Sequence, residues 1–364
     1  MLRGQVWAGG DEPVLVEGVV VVAYDGTVLR LGPATEVDVP LELPTFGGAG
    51  HWVGPGLVDA HVHLAFGAPE LALTGGVVAV RDLGAPPSDA ARWRAASGFP
   101  GQPVVSVAGP LITAPGGYPS RSWGAAGFAR FVATPDAARS AVAELADGGS
   151  AGGPVDVIKL ALEPGGGQPV PDAATAAAVV NAAHDCGLAV TAHALSPAMV
   201  VRALDAGVDE LCHIPTEPLP SSLVERVATA GVAVVSTLHT HAGGGSPASV
   251  ASAAVLGNAA ALYRAGVPLR YGTDLGNAGT RPGAEPRELD LLARAGLGSL
   301  GALRAATDGA ASAPGLPGRV TGRLEEGRPA YAVVLSGDPL RQPEVWRRPV
   351  AVATPAGVVS GAPG

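Results

Sequence analysis

Lysine is almost missing from this chain. Of 23 basic residues, one is a lysine, Lys159, and 22 are arginines. The wealth of Ala, Gly, Pro and Arg points to a coding bias that turns lysine into arginine wherever either serves. A position that has stayed lysine therefore has a reason to. Arginine is charged at every accessible pH, whereas a lysine amine in an apolar setting can be neutral, nucleophilic or carbamylated, so Lys159 is the first candidate for chemistry. Cysteine is nearly as scarce. Cys186 and Cys212 make no disulfide framework, and their apolar surroundings predict two reduced, buried thiols. Runs of five like charges are absent and the net charge is −9, which leaves a polyanion-binding surface without electrostatic support: no nucleic acid and no membrane partner is expected. No stretch reaches the roughly 20 apolar residues that span a bilayer. The opening MLRGQVWAGGDE lacks the apolar core of a signal peptide, and the expectation is a soluble, cytoplasmic protein. Disorder is excluded as well. The 53 glycines and 34 prolines are many, but 47% hydrophobic against 15% charged residues is a composition that offsets its ordering entropy by burial.

What is present is a change of pattern along the chain. Residues 1–54 alternate apolar and polar positions between Gly and Pro turns, as in PVLVEGVVVVAYDGTVLRLG, and read as short strands. From there on, short apolar runs ending in polar residues alternate with Ala/Leu-rich stretches of helical length. Eight runs can be counted: GLVDAHVHL, VVAVRDLG, PVVSVAG, VDVIKLAL, GLAVTAHA, VDELCHIP, VAVVSTLHTH and VPLRYGTD. Helices are expected between them, for example Asp136 to Asp147, Asp172 to Cys186 and Ser196 to Ala206, each with a Ser, Asp or Pro start and a Gly stop. Eight β runs alternating with helices predict an α/β fold, a (β/α)8 barrel over 55–317. Residues 318–364 return to strand-like text and are expected to join 1–54 in a small β-sandwich.

In such a barrel the active site lies at the C-terminal ends of the strands. The first run ends in His61 and His63, whose i, i+2 spacing puts both imidazoles on one face. The fourth carries Lys159, the fifth His193, the sixth His213 and the eighth Asp274. Any one of these alone reads equally well as a core histidine, a snorkelling amine or a helix cap. Together they put candidate ligands at the ends of five strands, a pattern that chance does not readily produce. Neutral imidazoles and a carboxylate suit zinc, with other first-row divalent ions open. An ammonium has no place among metal ligands. Lys159 joins them only by losing its charge, and its carbamate, formed with carbon dioxide, would be an anion with two oxygens able to bridge two ions. Weaker candidates for substrate contact are Tyr118, His239, which would point inward if strand alternation continues, and Arg281 with Asn277 in the glycine-rich loop after Asp274. His51 and His184 lie outside the strand ends.

The motifs PGLVDAHVHL, IKL, TAHA, CHIP and YGTDLG, with the returning tail GRLEEGRPAYAVVLSGDPL, resemble the amidohydrolase superfamily of metal-dependent β/α-barrel hydrolases over nearly the whole chain. The strand-four lysine is similar to the binuclear branch, and VRDLG, with Arg81 and Asp82, and LITAPGGYP to its imidazolonepropionase- and prolidase-like group. The resemblance implies that His61, His63 and Asp274 hold a buried metal and His193 and His213 a more exposed one. Carbamylated Lys159 and a hydroxide would bridge the two divalent ions, which the resemblance implies are zinc. It implies a hydrolase of an amide, linear or cyclic, or of an ester or lactone, with a small-molecule substrate; Asp274 is expected to carry the proton, and whether the chain forms a homo-oligomer is left open. Where the group commonly has a histidine after the paired glycines, this chain has Tyr118. The rival readings are a mononuclear deaminase of a nucleobase-like ring, against which Lys159 argues, and a non-catalytic metal-binding scaffold, which would be expected to have lost ligands.

Overall fold

The strand-like text at the two ends of the chain comes together in one sheet. In the computed structural model, which describes residues 1–38, 42–124, 126–148, 154–242 and 250–360, the N-terminal strands are β1 (Leu2–Val6), β2 (Leu15–Val22), β3 (Val28–Pro33) and β4 (Phe46–Pro55). The barrel region follows with β5 (Leu57–Val62), β6 (Val77–Asp82), β7 (Val104–Val107), β8 (Leu111–Thr113), β9 (Ala129–Phe131), β10 (Ile158–Ala161), β11 (Val190–His193), β12 (Glu210–Leu211), β13 (Ala233–Val235) and β14 (Leu269–Arg270). The chain ends with β15 (Ala332–Leu335), β16 (Ala351–Thr354) and β17 (Gly357–Ser360). Among the described residues the terminal strands form a seven-stranded sheet in the order β17-β16-β15-β4-β1-β2-β3. Its centre is the antiparallel β4–β15 pair, where Val53 faces Val334 and Trp52 faces Leu335. Inward residues of both termini, among them Leu2, Val6, Val20, Val53, Val334 and Ala353, share one apolar core.

The eight runs become eight parallel barrel strands among the described residues: β5 to β7 and β10 to β14. Asp156 N donates to Val107 O at 2.8 Å, joining the β7 end to the chain entering β10. On the other side Ala60 N donates to Tyr271 O at 3.2 Å and Asp274 N to His61 O at 2.8 Å, which brings the last strand back to the first. Strands β8 and β9 lie alongside β10 as an excursion. The expected helices form with their ends shifted by a residue or so, as Pro135–Asp147, Ala173–Asp185 and Pro197–Ala206. Asp172 Oδ1 caps the second by accepting from Thr175 N at 2.7 Å, and the third stops at Gly207, whose φ of 84° is left-handed and suits a residue without Cβ. No helix among the described residues is long and apolar enough to cross a membrane.

One sequence expectation needs correction here. Cys186 is exposed, because it sits at the outer end of helix Ala173–Asp185, while Cys212 is buried as expected. Arg81 is a fully buried structural residue. Its Nε donates to Ala60 O at 2.8 Å and its Nη1 to Pro314 O at 3.0 Å, while Nη2 pairs with Glu210. Arg270 takes the other Glu210 oxygen at 2.6 Å. Burial would raise the Glu210 carboxyl, but Arg81 and Arg270 outweigh it and hold it below the usual glutamate range. This stabilisation is present above the ordinary glutamate pKa and is lost as pH falls through the depressed value. Arg81→Met is expected to cost about 3–5 kcal/mol, since it strands part of a buried charge network. Chemical denaturation checks this, and an unchanged midpoint would show that the network adds nothing.

Candidate metal centre

The site is set up by a carboxylate that binds backbone. Asp59 on β5 accepts from Thr273 Oγ1 at 2.6 Å, Thr273 N at 3.0 Å and His61 N at 3.1 Å, tying the first strand to the last where both reach the barrel mouth. Burial pushes the Asp59 carboxyl up to about 7, against the pull of its Thr273 bonds. His61, at the end of β5, and His63, just beyond it, then face Asp274.

The histidine tautomers follow from what their other nitrogens touch. His61 Nδ1 lies 2.9 Å from Cys212 O and His63 Nδ1 3.3 Å from Gly84 O. A carbonyl oxygen only accepts, so each Nδ1 carries its hydrogen and each Nε2 presents a lone pair. Those lone pairs meet one oxygen: Nε2 of His61 is 3.3 Å and Nε2 of His63 is 3.4 Å from Asp274 Oδ1. His61 is fully buried and its Nε2 has no hydrogen-bond partner. Burial, with Lys159 and despite Asp274, pushes its pKa well below the usual histidine value, so a proton is not what fills the gap. Two imidazole lone pairs and a carboxylate oxygen aimed at one point repel unless a cation sits among them, and this donor set fits a first-row divalent metal.

A second group adjoins the first through the same carboxylate. His213, His241 and Asp274 place their ligand atoms within 4.8 Å of one another, as do His61, His63 and Asp274, and also His61, Cys212 and His213. His213 and His193 have ring centroids 4.6 Å apart. His193 Nε2 lies 3.3 Å from Glu163 Oε2, which leaves Nδ1 as its lone-pair nitrogen. Burial lowers the pKa of His193, His213 and His241, favouring the neutral ligand form. Lys159 is 1% exposed and its Nζ donates to Cys212 Sγ at 2.7 Å. No carboxylate among the described residues lies within ion-pair distance of it. The structure thus gathers His61, His63, Lys159, His193, His213 and Asp274 at one barrel end. Backbone strain gathers there too: the two non-glycine residues with positive φ among those described are Asp274, at 54°, and Thr237, at 43°, whose Oγ1 is 2.9 Å from His213 Nδ1.

The remaining candidates divide. Tyr118 stacks on His193 at 4.9 Å and its Oη accepts from Trp123 Nε1 at 3.0 Å. His239 does not continue a strand face: after Thr237 the chain turns into the helical segment Leu238–His241, whose Leu238 and His239 amides donate to Glu288 at 3.0 and 2.6 Å. That turn places His241 Nε2 3.3 Å from His213 Nδ1, while His239 Nε2 lies 3.4 Å from Gly279 O. Arg281 is exposed and lines a small hollow with Gly75, Trp346 and Arg347, away from the metal cluster, because the Asn277–Thr280 turn carries the loop outward. A cavity of about 260 Å³ beside the cluster is lined by His63, Phe66, Tyr118, Trp123, Asp274, Gly276, Asn277 and Ala278. His184 pairs with Asp209 at the surface, and His51 lies on β4. Sequence reasoning missed Glu163, His241 and the thiol of Cys212 beside Lys159. The second half of HTH was a signal for His241; the other two carried none.

Residues 70–361 match the amidohydrolase family. An imidazolonepropionase of Methylobacterium nodulans is 43% identical over 53 residues, which are 15% of this chain and 13% of that protein. Among solved structures, a putative prolidase from Bifidobacterium longum superposes with a TM-score of 0.83 at 28% identity, over 100% of this chain and 95% of that one. A Xaa-Pro dipeptidase with bound methionine gives a TM-score of 0.83 at 20% identity, covering 99% of both chains.

Proposed function

The chain belongs to the amidohydrolase family, and from that membership we propose a metal-dependent hydrolase that cleaves a C–N bond of a small amide, linear or cyclic, with an ester or lactone as the alternative bond. The observation that carries the reading is the meeting of His61 Nε2 and His63 Nε2 at Asp274 Oδ1, at 3.3 and 3.4 Å. His61, His63 and Asp274 would hold one divalent ion and His193 and His213 a second, with Lys159, carbamylated, between them. Zinc suits these donors. Two such ions supply a polarised carbonyl and a hydroxide at neutral pH.

The chain's own groups do the rest. Asp274 takes the proton released on attack and returns it to the departing nitrogen. Burial raises the Tyr118 phenol, which therefore stays protonated; with its oxygen already accepting from Trp123, its O–H is free to donate to the substrate oxygen as charge develops there. Glu163 fixes the ring of His193 through Nε2, as carboxylates fix metal-bound imidazoles.

Metal analysis paired with a hydrolysis panel of dipeptides, N-acyl amino acids, lactones and imidazolones tests the reading. Two ions per chain and cleavage of an amide or ester are expected. One ion with ring deamination would support the mononuclear alternative, and a chain that binds no divalent ion would be a scaffold.

A further inference from the structure

Aromatic residues are scarce in this protein, at 4% of the chain, yet three of them, Phe66, Tyr118 and Trp123, line one cavity and a fourth, Phe128, packs against two of these. Trp123 lies edge-on to Phe128 at 5.4 Å and to Phe66 at 5.8 Å, and Phe66 stacks with Phe128 at 6.0 Å. Trp123 reaches 4.8 Å from the ring of His63, and Tyr118 closes the side towards His193. The wall therefore begins at the candidate metal ligands and runs outward along the cavity of about 260 Å³.

The polar complement of that cavity is neutral. Besides the Tyr118 phenol, its two ionisable lining groups, His63 and Asp274, belong to the metal cluster, and no lysine or arginine lines it among the described residues. The remaining segments, 39–41, 125, 149–153, 243–249 and 361–364, contain no basic residue in their sequence. Lys159 is buried and is not part of the lining. Arg121 and Arg281, on the flanking loops, are exposed and outside the lining. What the cavity offers is a phenol O–H from Tyr118 and the side-chain oxygen of Asn277, whose Nδ2 is engaged with Asp274 O at 2.9 Å. One donor and one acceptor match the C=O and N–H of an amide.

We propose that this cavity selects an uncharged substrate with an aromatic or cyclic hydrocarbon group next to the scissile amide, and discriminates against the free carboxylate of a dipeptide. The proposal rests on the hydrolase reading and deepens it. A carboxylate placed against these rings would shed its hydration with no side-chain cation of the wall to pair with. A flat ring would instead cover Trp123 and Phe66 and replace water that the rings bind poorly.

The probes are N-benzoylglycinamide and N-benzoylglycine, which share the ring and the amide bond and differ in one charge. Calorimetric binding is measured on the metal-loaded protein and after chelation, beside hydrolysis of both compounds. The neutral compound is expected to bind about tenfold or more tightly than the acid, a difference of about 1.4 kcal/mol. Trp123→Ala is expected to erase most of that affinity while metal content stays the same. Equal or tighter binding of the acid, binding of neither, or a Trp123→Ala variant with unchanged affinity would each overturn the proposal. Acid binding that disappears in Arg121→Ala would overturn it in favour of a carboxylate reader on the loop. Selective binding without cleavage of any panel compound by the metal-loaded enzyme would leave the cavity assignment standing and sink the hydrolase reading, so the two failures are separable.

Discussion

Asp274→Asn is expected to lower kcat by about 10³-fold or more while the protein keeps its fold and most of its metal, the range in which loss of a positioned proton carrier falls. The side chain sits where both HxH imidazoles converge, with Nε2 atoms at 3.3 and 3.4 Å from Oδ1. Asparagine keeps one oxygen in that place, so a ligand survives. It also tolerates the left-handed backbone found here, with φ of 54°, as few other residues do. The strain is therefore no worse in the variant, and a loss of activity reports on the carboxylate itself. What asparagine cannot do is accept the proton of the attacking nucleophile and hand it to the leaving nitrogen. Turnover numbers and metal content on the same preparation decide the matter; a variant with near-normal kcat removes Asp274 from the proton path.

Lys159→Arg is expected to be nearly as damaging, for the opposite chemical reason. It preserves charge and most of the bulk of the side chain, yet a guanidinium forms no carbamate and stays cationic among neutral imidazoles. The variant should lose the second metal ion and with it kcat by about 10³-fold, the scale of losing a two-ion arrangement that activates the nucleophile. Lys159 is 1% exposed, so circular dichroism and thermal melting must show that the variant is folded. Lys159→Met, which brings no charge, is the control for crowding and should lose the same metal ion. Lys159→Glu restores anionic oxygens and should recover part of the metal. In the unmodified protein, labelling with ¹³C carbon dioxide should give a carbamate resonance that both Lys159→Arg and Lys159→Met lack. Two ions and full turnover in Lys159→Arg would remove the carbamate from the account.

The scarcity that drew attention to Lys159 also bears on specificity. A chain with one lysine and 22 arginines has many ways to read a substrate carboxylate, yet the cavity beside the metal cluster is walled by rings. Its arginines are spent elsewhere: Arg81 and Arg270 converge on buried Glu210, and most of the remainder pair with acids at the surface.

Sequence alone determined the eight-strand alternation, the pairing of the two chain ends, and the placement of His61, His63, Lys159, His193, His213 and Asp274 at one barrel mouth. These are local patterns: strand period sets which side chains share a face, and parallel closure of the barrel puts every strand end on the same side. Tertiary structure decided what depends on partners far along the chain. Glu288 caps the turn at Leu238 and His239 from about fifty residues away, and that turn presents His241 instead of His239. Asp59 fixes the last strand through Thr273, 214 residues on, and so sets the distance between the HxH pair and Asp274. Glu163 meets His193, Cys212 meets Lys159, and Arg281 is carried outward, each because a loop or a neighbouring strand bends to satisfy backbone hydrogen bonds that no short window of residues encodes.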